Sequence, residues 1–379
     1  RGWIFRASPG IKKMNFYYGV MQGRLSKKIG NKIQAFPEKY WRTEFFKAKA
    51  LGLKSIEWTL DYKNLEKNPI LNKRGQSQIK QLSKKNLIKI NSITGDCFMQ
   101  KPFWKKKNNQ KLLNDLIRII SSCKILGIKY IVVPLVDKGS ITNKHDESNL
   151  LKSCKHVLKY LRDSKVKLIF ESDFTPLRLK KFIKKFDKRY FGINYDAGNS
   201  AGLNYKIDDE FRLYGKYICN VHIKDRIKYG KTVRLGNGNA NFLKLFKNLK
   251  KIKYNQPLIL QTARSKNNRH IEEIKINLDY LKNKNDILEI YNLIRSKKYS
   301  KNQIRTKLRN YLNNPEDLNE FLHSILDSKT TKKEENTEAT SSGGSGQFSS
   351  PLFSTTKENV IKTVREGVKE MQKVETKEA

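Results

Sequence analysis

The 379 residues suffice for one barrel-sized domain with an extension or for two ordinary domains. No run of about 18 uninterrupted apolar residues occurs, so no membrane-spanning helix is expected. The formal net charge of +43 comes mostly from Lys that accompanies Asn and Ile throughout and spreads over every expected helix face; this is the bias of an A+T-rich coding sequence, so no nucleic-acid partner is expected.

Cys97, Cys123, Cys154 and Cys219 form no CxxC pair, which points away from a zinc knuckle or a disulfide framework and towards reduced thiols in a cytoplasmic protein. Residues 1–13 read as an N-terminal extension whose apolar core is too short for a signal peptide, and Met14 opens the first strand-like run. From there one pattern repeats: a short β-branched or aromatic run, a polar turn, an amphipathic helix. The runs are NFYYGVMQ (15–22), KSIEWTL (54–60), IKINSIT (88–94), KYIVVPL (129–135), KLIFE (167–171), YFGINYD (190–196), YICNVHI (217–223) and PLILQ (257–261). Helices are expected over 41–51, 73–85, 111–126, 147–164, 176–186, a short piece after Asp196, 242–251 and 270–282, with Gly52 ending the first.

About eight strand–helix units in about 270 residues is the count and size of an α/β (β/α)8 TIM barrel, placed here at 14–283. A doubly wound open sheet is the alternative, but MQGRLS after the first strand lacks a Gly-rich nucleotide turn. Beyond 283 the rhythm breaks. Residues 284–328 read as a helical extension, 329–356 as a flexible Ser/Gly/Thr-rich linker, and 357–379 as a short amphipathic helix. Truncation after about 283 is therefore expected to leave a folded barrel.

In a parallel barrel the residues that close the strands converge on one face. Strand two closes at Glu57-Trp58 and strand three leads to Asp96; strands five to eight close with Glu171, Asp196, His222 and Gln261. Three oxygen donors and one imidazole at equivalent positions suit Mn²⁺, Mg²⁺, Co²⁺ or Zn²⁺ with coordination positions left open. Taken singly, each could be a cap or a buried polar group. For an anionic substrate, Lys224, Arg226 and Arg264 follow strands seven and eight, Gly236 and Gly238 precede the seventh helix, and Arg24 follows strand one.

Between about residues 14 and 282 the sequence resembles the sugar-phosphate isomerase/epimerase family of xylose isomerase-like TIM barrels. The motifs that carry it are GVMQGRLS (19–26), SIEW (55–58), IFESD (169–173), YDAGNSAG (195–202), HIKDR (222–226), LGNGNANF (235–242) and LQTAR (260–264). The resemblance implies a divalent metal held by Glu171, Asp196, His222 and, by position, Gln261. In the ketose 3-epimerases of that family a glutamate stands at the last position, and two glutamates flank the reacting sugar carbon. Here Gln261 could donate an amide oxygen to a metal but could not accept a proton. Glu171 remains as a base, with Glu57 or Asp96 as the second acid.

The resemblance thus implies a metal-dependent isomerase or epimerase of a sugar or sugar phosphate. A dehydratase-type lyase, which needs one base and one acid, is the first alternative. A catalytically silent sugar-binding barrel is the second. A nuclease of the endonuclease IV type would need more histidines than His222 and His145 supply. The sequence leaves a homo-oligomer open.

Overall fold

The structure is a computed structural model that describes residues 16–295 except Asn31, Lys107 and Lys266. The expected N-terminal extension, the linker, the C-terminal helix and the extension beyond residue 295 lie outside the described residues. Eight parallel strands close into a barrel: β1 Tyr18–Met21, β2 Ser55–Thr59, β3 Ser92–Thr94, β4 Tyr130–Leu135, β5 Lys167–Ser172, β6 Phe191–Asp196, β7 Ile218–Ile223 and β8 Leu258–Leu260. Each pairs with its sequence neighbours, and β8 closes on β1 with Tyr18 opposite Leu258. The fold is the TIM barrel.

Alternation along the strands sorts side chains between two environments. On β2, Trp58 points outward, where its ring packs at 5.5 Å on Trp41 of helix Trp41–Ala50 and at 5.5 Å on Phe36. Its neighbour Glu57 points into the barrel, fully buried and hydrogen-bonded to residues of β3 and β7. Phe170 of β5 repeats the scheme, joining Phe182, Phe186 and Phe191 in an aromatic cluster beneath helix Pro176–Ile183. Apolar residues anchor the wall, and the next residue along is free to build the lumen.

The helices end where the local chemistry stops them. Gly52 and Gly127 carry positive φ just after helices Trp41–Ala50 and Gln110–Leu126, and Asn72 and Asn143 accept a backbone N–H at the starts of helices Lys73–Asn86 and Lys144–Ser164. The last helix differs from expectation. It runs from His270 to Arg295, past the break expected near residue 283, because no Gly or Pro interrupts that stretch. The chain divides into two units between Tyr280 and Leu281.

Between β6 and β7, where one short helix is expected, there are two, Ala197–Gly202 and Ile207–Tyr214. Two elements were not anticipated: helix Asp96–Gln100 directly after β3, and a two-stranded ribbon pairing Asp225–Arg226 with Thr232–Val233. Among the described residues no helix is long and apolar enough to cross a membrane. Cys97, Cys123, Cys154 and Cys219 are free thiols, and the first three are buried.

Candidate metal centre at the barrel mouth

β6 ends in Asp196 and β7 carries His222, and the two are direct cross-strand partners. Glu171 reaches the same point from β5. One ligand-type atom from each of Glu171, Asp196 and His222 lies within 4.8 Å of the others, and all three residues are buried. Asp196 Oδ1 accepts from the Asn199 amide at 2.8 Å, capping helix Ala197–Gly202. Its Oδ2 is buried without a hydrogen bond and faces the Lys224 ammonium at 2.7 Å, an ion pair that lacks hydrogen-bond alignment.

His222 is fixed from both sides. Its Nε2 lies 2.7 Å from Glu57 Oε1, while Nδ1 lies 3.2 Å from Glu171 Oε2 and 3.0 Å from Asn194 Nδ2. Glu57 is held in turn by Ser92 Oγ at 2.6 Å and Asn220 Nδ2 at 2.7 Å. Asn194 Nδ2 donates to Glu171 Oε2, and Asn199 Nδ2 donates to Glu171 Oε1, both at 2.8 Å. Burial opposes charge on the imidazole, but Glu57 and Glu171 outweigh it and push the pKa of His222 up to about 10. Burial likewise opposes charge on Glu171, yet contact with His222 and the nearby Lys224 hold its carboxyl below the ordinary value.

These residues fit a divalent cation. Two carboxylates and an imidazole are a suitable donor set, and Asp196 Oδ2, buried and without a hydrogen bond, already faces a cation in the Lys224 ammonium. With Nε2 committed to Glu57, Nδ1 is the nitrogen that faces the cluster, the carboxylate-behind-histidine arrangement that orients a metal-binding imidazole.

The remaining expected site residues divide by what they touch. Gln261 Oε1 accepts from Lys224 Nζ at 3.1 Å, so Lys224 spans Asp196 and Gln261. Gln261 stands beside the cluster, with its amide oxygen taken by Lys224. Arg226 donates to the Gly230 carbonyl and to Asn199 Oδ1. The Gly236 and Gly238 amides, expected to be offered to an anion, instead donate to Asp225 Oδ2 at 2.9 and 3.0 Å, and Ala240 donates to Oδ1 at 3.0 Å. Asp225 thus folds the LGNGNANF loop around itself. Arg24 and Arg264 lie across the mouth: Arg24 Nε donates to the Thr262 carbonyl at 3.0 Å, and Arg264 donates to the carbonyls of Gly23 and Ser26.

The loop that carries Arg24 is shaped by Glu44, whose buried carboxylate accepts from the Gly23 and Leu25 amides and the Ser26 hydroxyl. Gly23 has φ +90, and an added Cβ would lie 2.8 Å from the Ala35 carbonyl oxygen, so that position admits only glycine.

Sequence reasoning missed Ser92, Asn194, Asn199 and Asn220, which organise the two central carboxylates, and also Asp225 and Glu44. The available signal was their place on or beside strand ends next to the expected ligands. In a chain this rich in Asn that signal did not stand out.

Known proteins share this architecture. The profile of the xylose isomerase-like TIM barrel family matches residues 45–284, and the chain belongs to that family. A curated relative from Haemophilus influenzae, named "Putative L-ribulose-5-phosphate 3-epimerase SgbU", is 26% identical over 267 residues, covering 65% of this chain and 92% of its own. Among solved structures, a xylose isomerase domain protein from Planctomyces limnophilus superposes with a TM-score of 0.58 at 14% identity, covering 73% of this chain and 99% of that one. D-psicose 3-epimerase from Clostridium cellulolyticum H10, solved with D-tagatose, gives 0.55 at 16% identity, covering 70% and 98%. At such identities the solved structures support the fold.

Gly198, in the turn after β6, tests how Lys224 is placed. A Cβ there would lie 2.7 Å from Lys224 Cγ and 3.0 Å from its carbonyl carbon. Gly198→Ala is expected to push Lys224 away from Asp196 and cost about 1–3 kcal/mol in chemical denaturation. An unchanged denaturation midpoint would contradict that packing.

Proposed function

We propose that the barrel is a metal-dependent isomerase or epimerase that acts on a sugar or sugar phosphate by removing a proton next to a carbonyl. The observation that carries this reading is the convergence of Glu171, Asp196 and His222 at the C-terminal ends of three adjacent strands. The names of the curated relative and of the D-psicose 3-epimerase support it. A divalent ion held by Glu171, Asp196 and His222, with Gln261 alongside, would polarise the substrate carbonyl and acidify the neighbouring C–H.

The chain's own groups then divide the proton work. Glu171, held ionised by His222 and Lys224, accepts the proton from carbon. Glu57 acts through His222: its two oxygens are engaged by His222, Ser92 and Asn220, and it fixes the imidazole instead of meeting substrate. Asp96 is the better acid for the opposite face. It lies buried after β3, takes one hydrogen bond from Thr94 Oγ1 at 3.0 Å, and burial, reinforced by Asp61, Glu171 and Glu57, pushes its carboxyl up to about 7. A carboxyl that still carries its proton near neutral pH is suited to give it up.

Gln261 favours a second reading, a dehydratase-type lyase that needs a single base. Incubating the protein with ketoses and ketose phosphates in deuterated water separates the two. Stereoinversion with deuterium uptake at the carbinol carbon is expected; loss of water without inversion would transfer the assignment to the lyase.

Gln261→Glu would place a carboxylate beside Asp196 and Lys224, and it is expected to tighten divalent-ion binding by roughly an order of magnitude. Unchanged affinity in calorimetric titration would show that residue 261 does not face the ion.

Asp96→Asn has two expected signatures. Inversion falls by about 100-fold while proton exchange through Glu171 persists. The pH dependence of stability also changes. Because the folded carboxyl titrates near 7 and its ordinary value is 3.8, the wild type retains a proton that the unfolded chain has lost between those limits, so its stability declines as pH rises from about 4 to about 7. The variant should lack that decline; parallel urea midpoints for the two proteins across the window would contradict the assignment.

A further inference from the structure

Two groups of cations flank the mouth, and their surroundings differ. On the β7 side, Lys224 is ion-paired with Asp196, Arg226 is bonded to Gly230 and Asn199, and the Gly236 and Gly238 amides surround Asp225. These donors already have acceptors, several of them anionic. On the β1–β8 side the charges are not matched. None of the ion pairs among the described residues includes Arg24 or Arg264. Both guanidiniums bond to neutral acceptors: the carbonyls of Thr262, Ile33, Gly23 and Ser26, and the Gln34 side chain. Glu44 offsets part of the charge on both guanidiniums and Asp96 part of that on Arg24, but neither carboxylate forms an ion pair with them, and buried charge without a paired anion is costly.

Polar atoms without partners gather in the same stretch. Arg264 Nε, Thr262 Oγ1 and both ring nitrogens of His270 are buried and make no hydrogen bond. Thr262 is wholly buried and His270 is 5% exposed. Native interiors seldom leave so many polar atoms unmatched in one short segment unless a ligand completes them. Burial lowers the pKa of His270 to about 4, and repulsion from Arg264, Lys28, Lys47 and Arg24 adds to the effect, so its surroundings are electropositive. Burial and Arg264 pull Arg24 down to about 9 against the opposing pull of Asp96 and Glu44. Of these groups Arg264 borders an open groove of about 840 Å³, whose lining also includes Lys231, Arg269, Glu272 and Glu273.

We propose that Arg24, Thr262, Arg264 and His270, where the loop after β1 meets the segment after β8, form an anion subsite that takes the phosphate end of a phosphorylated sugar. The ligand class follows from the donors: two guanidiniums that no carboxylate pairs with, a hydroxyl and one imidazole N–H match a group that offers only acceptor oxygens and about two negative charges. A neutral polyol, whose hydroxyls also donate, would be matched poorly. The proposal rests on the sugar isomerase reading for the identity of the ligand, and direct phosphate binding tests it independently of turnover.

The experiment uses the full chain, with inorganic phosphate and a matched ketose and ketose phosphate as probes. Calorimetric titration should show phosphate binding to the wild type, weakened about tenfold or more in Arg264→Met and in His270→Leu. His270→Leu removes a buried unpartnered imidazole and is expected to fold, which protects the test if Arg264→Met does not. Inorganic phosphate should compete with the ketose phosphate, and both variants should raise KM for the ketose phosphate but not for the ketose. Phosphate that does not bind, binds equally to wild type and variants, or binds without competing with the sugar phosphate would overturn the subsite. Phosphate binding that the variants lose, in a protein that turns over no sugar, would preserve the subsite and refute the isomerase reading. Turnover of the free ketose with no phosphate binding would do the reverse.

Discussion

Everything at the barrel mouth is arranged around one buried imidazole clamped between two carboxylates. His222 takes Glu57 on one nitrogen and faces Glu171 with the other, with all three side chains buried. Two carboxylates left side by side in such a place would repel each other and take up protons. The imidazole relieves this, and a divalent ion held by Glu171, Asp196 and His222 would relieve it more strongly. The asparagines complete the arrangement. Asn194, Asn199 and Asn220 each direct an amide N–H at a carboxylate oxygen, fixing the positions of Glu171 and Glu57 without adding charge.

The barrel explains how such a polar interior is tolerated. Outward-facing Trp58 and Phe170 bury aromatic surface against the helical shell, and that packing offsets the desolvation of the adjacent inward residues. The wall and the site are successive residues of the same strands, which ties the position of Glu57 to the seating of Trp58.

Much of this was legible in the sequence, for physical reasons. Period-two strands alternating with amphipathic helices admit few folds, and eight repeats closed the choice. Glu171, Asp196 and His222 could be read because strand ends in a parallel barrel converge, whatever the loops do. Loop-borne groups were harder. Lys224, Arg226, Gly236 and Gly238 were read as free donors, but donor type does not reveal which acceptor a fold supplies: Asp225 takes the glycine amides and Asp196 takes Lys224. His270, at the start of the last helix, gave no signal because only burial makes an unpartnered imidazole conspicuous. The end of that helix was misplaced because composition shifts near residue 283 while no breaker does.

The central claim is that Glu171, Asp196 and His222 are the ligands of one divalent ion. Anomalous diffraction from a crystal of the full chain soaked in Mn²⁺ tests it directly. The account predicts a single strong peak among Glu171, Asp196 and His222 Nδ1, with Lys224 displaced from Asp196 Oδ2. No peak there, with Lys224 still bridging Asp196 and Gln261, would contradict it.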